Sequence, residues 1–351
     1  MSALLNVIQG TRIGDSLGLP MEGLSPLRIA QLGWSSPLKQ RLIFGHGMWS
    51  DDTEHTLLLI ESALKSQGNV ETFQKLFSQR LCFWLSTFPP GIGLATLRSI
   101  ILQSLRFPLH KTGVYSAGNA PSMRAATLGV IFAKCKNKRI LYNQAQTTLT
   151  HSDPKALYAS ELVVEIAASF TNGITDLSPV LEKCSQRSND PEWQYLINCI
   201  NAPHNRARDT SEILKHLHMN PSQGISGYSY HTVPAVVYLG LKHQWHFQDT
   251  LSELIMLGGD TDSTAAIAGA LCALHPSSHI SEHWDTSYYE WPLSAHVMDK
   301  ITTSLESGHH LSYYQRKLWP LYVARNLNQL CILIFHILRR LLYRVIKPNI
   351  G

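Results

Sequence analysis

Ser50-Asp51-Asp52-Thr53 and, much later in the chain, Gly258-Gly259-Asp260-Thr261-Asp262-Ser263 put four carboxylates and several hydroxyls into two short loops. Each loop runs straight into an apolar helical pattern. Oxygen donors in loops that contain no Cys or His suit hard divalent cations, and carboxylate, hydroxyl and water fit Mg²⁺ or Mn²⁺ best. A pair of such ions is a device for activating water against a polarised bond. The competing reading of the first loop is helix capping, because acids at a helix start accept from free amides and oppose the dipole. Capping needs one acid, and two adjacent acids flanked by hydroxyls exceed that need. In the second loop, Asp260 and Asp262 precede a helix of small residues (Ala265, Ala266, Ala268, Gly269, Ala270), as a deeply buried helix would be built. Carboxylates buried there without cations would be very costly.

Other segments gain weight only in combination. Gly10, Gly14 and Gly18 leave a bare stripe on one helix face, which lets another helix approach closely. Pro20 stops that helix and Glu22 follows in a turn. Alone, this is a packed helix with a solvated glutamate. Three glycine-containing loops, Pro90–Gly93, Ser116–Arg124 and Gly224–Tyr228, offer backbone amides of the kind that bind phosphate oxygens. Each is equally a turn, and none has the Walker or Rossmann spacing. His151, between Thr150 and Ser152, precedes another helix, where a histidine is usually a structural hydrogen-bonding group. Despite seventeen histidines, no His-x-x-x-His metal pair and no Ser/His/Asp set is convincing.

The elements that must position these residues are helical. Residues 55–65, 94–105, 156–169 and 264–274 carry apolar residues at helical spacing. Val233–Leu239 is an apolar run of ambiguous type. The expected architecture is all-α: a single compact multi-helix domain over residues 1–325. Residues 276–320, rich in His, Ser, Trp and Tyr, read as a surface segment with one short helix near 295–306 and no assigned chemistry. With 44% hydrophobic and 16% charged residues the chain is globular. The six scattered cysteines read as reduced thiols of a cytoplasmic protein. No basic stretch leads into an apolar one at the N-terminus, so no secretory signal is expected. The net charge of +5 is concentrated near the C-terminus, and no basic run interleaved with aromatics marks a nucleic-acid groove.

Residues 326–351 form a separate tail. From Leu330 to Ile346 it is apolar except for His336, Arg339, Arg340, Tyr343 and Arg344. His336, Arg340, Arg344 and Lys347 fall on one helix face. A helix of that length reaches about 25 Å, short of the roughly 30 Å hydrocarbon core, so a membrane span is not expected. The expectation is a basic amphipathic helix contacting a membrane surface or a protein partner. A last helix docked on its own domain is the alternative.

Taken in order, the motifs resemble those of the ADP-ribosylglycohydrolase family. They are the Gly14-Asp15-x-x-Gly18 helix with Glu22, Ser50 to Thr53, Gly118 to Arg124, Thr150-His151, and Gly258 to Ser263. Order and spacing agree from about residue 8 to residue 275. Several phrases look closest to a bacterial branch of the family. The resemblance implies an all-α fold around two Mg²⁺ (or Mn²⁺) ions at the bottom of a cleft. Ser50, Asp51 and Asp52 would ligate from the first loop and Asp260, Asp262 and Ser263 from the second, with Asp262 bridging. Glu22 would be the catalytic carboxylate beside the substrate ribose. Gly118, Asn119, Ser122, Met123 and His151 would hold the distal ribose and diphosphate, and Tyr228 would stack on adenine.

The implied reaction is hydrolysis of the glycosidic bond joining ADP-ribose to a protein side chain or a small molecule. The leaving group stays open among arginine, serine, a nucleobase and an acyl ester. A metal-dependent phosphohydrolase is one alternative, and a non-catalytic ADP-ribose-binding or structural protein on the same fold is another. The intact set Glu22, Asp51, Asp52, Asp260 and Asp262 argues against a retired site. Ala120 stands where the family often has glycine. If that position needs φ > 0, an alanine there costs roughly 1–2 kcal/mol.

Overall fold

A computed structural model describes residues 2–34, 38–202, 209–277, 279–280, 284 and 287–346, the last five of these as helical backbone only. Among the described residues the secondary structure is helical, with isolated β-bridges in place of strands. The helices that build or support the cleft are α1 (Ala3–Gly18), α2 (Asp51–Lys65), α3 (Val70–Leu85), α4 (Lys136–Thr150), α5 (Pro154–Thr171), α6 (Ser229–Lys242), α7 (Thr261–Cys272) and α8 (Trp319–Ile346).

The glycine stripe on α1 does what its spacing implies. A Cβ at Gly10 would lie 2.1 Å from the Gly269 carbonyl oxygen, one at Gly14 would lie 1.9 Å from that of Ala265, and one at Gly18 would lie 2.2 Å from that of Thr261. The two backbones therefore run against each other along their length, and every residue of α7 is buried. This contact brings the end of α1, and Glu22 after it, beside the start of α7. Gly14→Ala is expected to cost about 3 kcal/mol or more, because the methyl group meets immovable backbone. Thermal melting checks this against Gly93→Ala, where a Cβ meets nothing within 4 Å.

The ambiguous run Val233–Leu239 is part of α6 and is fully buried. It is apolar all round because no face of that helix meets water. The core continues through α5, where Leu162, Val163, Val164, Ile166 and Ala167 are buried. None of the six cysteines, all among the described residues, forms a disulfide.

Two expectations need correction. Residues 276–320 contain the expected helix at Ala295–Glu306. They also contain Glu290, which is buried and paired with Arg325, so the segment is not merely surface. The second correction concerns the tail. Its helix starts at Trp319, ahead of the expected 325/326 boundary, and its polar face is turned inward. Asn326 Nδ2 donates to the Thr87 carbonyl and hydroxyl at 2.9 Å, and Gln329 Nε2 donates to the Trp49 carbonyl at 2.8 Å. His336 Nε2 donates to the Pro20 carbonyl at 3.0 Å, and Arg340 Nη1 reaches the same oxygen at 3.1 Å. The basic face expected to meet a partner is thus docked on the domain, because free loop carbonyls near Pro20 supply acceptors that apolar residues cannot use. The Arg344 side chain and Lys347 lie outside the described residues.

Candidate active site

Asp15 of α1 organises the first loop. Its carboxylate accepts from Ser50 N at 2.9 Å, Thr53 N at 3.1 Å and Thr53 Oγ1 at 2.6 Å. Ser50 is the N-cap of α2, and its Oγ accepts from Asp52 N at 3.2 Å. Capping is therefore performed by Ser50 and Asp15, which leaves Asp51 and Asp52 for another task. From behind, Trp49 N donates to Glu290 Oε1 at 2.9 Å, while the Trp49 carbonyl accepts from Arg325 at 2.9 Å. Sequence reasoning placed Asp15 in a motif but gave it no role. The available signal was an acid standing inside a stripe of glycine and apolar residues.

The second loop depends on glycine for its path. Gly258 and Gly259 have φ of 71° and 86°, and a Cβ at Gly259 would sit 2.0 Å from the Ile225 oxygen. Asp260 N donates to Ile225 O at 2.7 Å, and Gly23 N donates to Gly259 O at 2.8 Å. The last bond ties the turn carrying Glu22 directly to the loop carrying Asp260. Thr261 Oγ1 donates to Gly18 O at 2.8 Å and locks the α7 start onto the α1 end.

Asp52 joins the two loops. Its Oδ2 accepts from Ser50 Oγ at 3.0 Å and from Ser263 Oγ at 3.2 Å. Its Oδ1 is buried and has no hydrogen-bond partner. Asp260 Oδ2 accepts from Asn119 Nδ2 at 2.8 Å, and Asp262 Oδ1 accepts from Ser263 N at 2.9 Å. Glu22, Asp51, Asp52, Asp260, Asp262 and Ser263 all line one cleft of about 390 Å³, together with Gly118, Asn119, Ala120, Met123 and His151. Ser50 stands behind it, against Asp52.

Burial and mutual repulsion dominate the electrostatics. Burial first, then neighbouring carboxylates, push Asp51, Asp52 and Asp262 well above the usual range. Burial and Asp260 push Glu22 up to about 7, and burial pushes Asp15 up to about 6 against its donors. Arg124, in the 118–124 loop, is fully buried and bonds Gln146 Oε1 at 2.7 Å and Thr150 Oγ1 at 2.9 Å. Burial lowers it to about 9, and Asp51 and Asp52 act against that fall, so it balances the acids from behind. Among the described residues no three carboxylate, imidazole or thiol groups already converge as a closed cage. The orphaned Asp52 Oδ1 and the mixed carboxylate–hydroxyl donors nevertheless fit Mg²⁺ or Mn²⁺, which keep several water ligands.

His151 lines the cleft with Nδ1 2.9 Å from Thr150 Oγ1. Burial, with Arg124 nearby, lowers it to about 3, so it is neutral. A Cβ on Gly118 would come within 3.0 Å of its Nε2, which explains a glycine there. Ser122 and Tyr228 are not on the cleft wall. Ser122 Oγ is buried without a partner, and the Tyr228 hydroxyl accepts from Lys155 Nζ at 2.8 Å. The Tyr228 ring contacts Tyr230 and His231. The strain considered for Ala120 does not arise: Ala120 opens the short helix Ala120–Met123 and is not among the residues with positive φ. What the substitution changes is one methyl group on the cleft wall.

The sequence pattern of the ADP-ribosylglycohydrolase family matches residues 2–308. The chain belongs to this family. An uncharacterized protein of Archaeoglobus fulgidus is 29% identical over 277 residues, spanning 76% of this chain and 85% of its own length. ADP-ribosylarginine hydrolase Tri1 of Serratia proteamaculans is 25% identical over 291 residues, 78% of this chain and 72% of that protein. A solved structure described as an ADP-ribosylglycohydrolase-related protein complex aligns with a TM-score of 0.65 at 21% identity. It covers 87% of this chain and 97% of its own, and shares the all-α fold. Family membership carries hydrolysis of ADP-ribose glycosidic bonds as the general activity.

Proposed function

We propose that the chain hydrolyses the bond between the anomeric carbon of ADP-ribose and a protein side chain or small-molecule conjugate. The observation that carries this reading is one cleft in which both acidic loops and Glu22 meet around the unpartnered Asp52 Oδ1. Ser50, Asp51, Asp52, Asp260, Asp262 and Ser263 would hold two Mg²⁺ or Mn²⁺ ions. When bound, such ions polarise substrate oxygens and make water more acidic. Asp15 and Asn119 keep the first loop and Asp260 in place for that task. Glu22, pushed up to about 7 by burial and by Asp260, accepts the proton of the attacking water. The water oxygen bonds to the anomeric carbon as the bond to the leaving group breaks, and the proton passes to the departing atom. Gly118, Asn119, Met123 and neutral His151 form the wall against which the rest of ADP-ribose would lie. Arginine is the leaving group to test first, because the Serratia relative is named an ADP-ribosylarginine hydrolase.

Glu22→Ala is expected to cripple turnover while ADP-ribose affinity stays within about tenfold, or roughly 1.4 kcal/mol. Calorimetric titration with ADP-ribose and chromatography of the released products measure both. A kcat near that of the parent would make Glu22 structural. Release of AMP and ribose 5-phosphate would point to a phosphohydrolase, and binding without turnover to a reader.

A further inference from the structure

Helix α8 is built inside out. Tyr322, Arg325, Asn326, Gln329 and His336 are buried against the domain, whereas Leu327, Ile334, Leu338 and Phe335 are exposed at 52%, 48%, 53% and 66%. At about 100° per residue, the exposed apolar positions sweep roughly 200° of the helix, from Ile337 at one edge to Leu321 at the other. Only Asn328 interrupts this arc among the described side chains, and Arg339 stands at its border. The stretch Arg316–Leu341 is long and apolar enough to cross a membrane, by length and composition alone. Crossing would pull Arg325 away from Glu54 and Glu290, which it contacts at 3.0 and 2.6 Å.

Width and charge decide what covers such a face. A seam between two helices occupies about 100°, so one partner helix leaves half of this arc in water. A helix lying in a lipid interface buries about half its circumference. Residues 307–351 contain seven Lys and Arg and no Asp or Glu. Among them Arg316, Lys317 and Arg339 are exposed toward the two ends of the apolar face. Beside the helix, Leu27, 69% exposed, faces Ile337 and Leu341 across a groove of about 830 Å³ that Arg28 and Arg340 also line. The apolar face thus continues onto the domain, where the Arg28 and Arg340 guanidinium groups outnumber the one carboxylate of the groove, Glu22.

We propose that α8 seats this protein on an anionic phospholipid surface. Its apolar arc lies at the boundary of headgroups and acyl chains, while its polar face stays docked on the domain. The occupant is lipid because the arc is too wide for one helix and the segment that carries it, residues 307–351, is basic and holds no Asp or Glu.

The experiment uses the full chain and flotation with vesicles of phosphatidylcholine, with or without phosphatidylglycerol. The expected result is flotation with the phosphatidylglycerol vesicles, weakened by high salt and absent with phosphatidylcholine alone. The double variant Phe335→Ser, Leu338→Ser should weaken it by roughly tenfold or more at an unchanged melting temperature, since both side chains already meet solvent. Failure of the parent chain to float with anionic vesicles overturns the proposal. So does equal binding to neutral vesicles, or velocity sedimentation showing a dimer that the same variant dissociates without any vesicle binding.

Discussion

Asp262→Asn is expected to lower kcat/KM by about a hundredfold or more, the scale on which one misplaced electrostatic group in an active site is felt. Asp262 is 5% exposed, lines the cleft, and is pushed upward by burial and by Glu22, Asp260 and Asp52. Such a crowd of carboxylates is relieved by protonation or by cations that share it, and the proposed ions would do the latter. An amide keeps the shape of the side chain and removes the charge. Ser50→Ala should do less, since Ser50 stands behind the cleft and Asp52 Oδ2 still receives the Ser263 hydroxyl. Release of ADP-ribose from an arginine conjugate measures both variants. The parent enzyme should lose activity with EDTA and recover it with Mg²⁺. Indifference to chelator, or zinc in the purified protein, would remove the two-ion reading.

Arg325→Met is expected to destabilise the fold by about 3–5 kcal/mol, the range for stripping one partner from a buried ion pair. The guanidinium is 4% exposed and lies between Glu54 and Glu290, which are themselves buried. Burial pushes Glu290 up to about 7 even with that cation present. Without it, two acids would stay buried in each other's field. Arg325 also donates to the Trp49 carbonyl, one residue ahead of Ser50, so the first acidic loop loses its backing. Denaturant unfolding measures the loss, and turnover of the surviving folded fraction reports on the loop. Adding Glu54→Gln and Glu290→Gln to Arg325→Met should restore part of the stability. A stability unchanged in Arg325→Met would show that the ion pairs to Glu54 and Glu290 contribute nothing net to the fold.

Much of this was legible in the order of residues. The glycine stripe announced a helix crossing, because a missing Cβ at a period of four is a local property with one geometric use. The acids of the two loops were legible for the same reason: their excess over capping needs is visible without a partner. The all-α class followed from periodicity. What the sequence could not reveal were contacts whose two halves lie far apart in the chain. Asp15 looked like one motif letter until Ser50 and Thr53 were found hydrogen-bonded to it. Glu290 sat in a stretch without pattern, and only the arrival of Arg325 and Trp49 N gives it a task. Tyr228 stood next to a glycine loop, yet its hydroxyl is taken by Lys155. The tail makes the distinction sharpest. Residues Trp319 to Leu341 determine by themselves that a helix forms with one polar and one apolar face. Which face meets water is not a property of the helix. It depends on where free acceptors lie on the rest of the fold, and the carbonyls of Pro20, Trp49 and Thr87 turned the polar face inward.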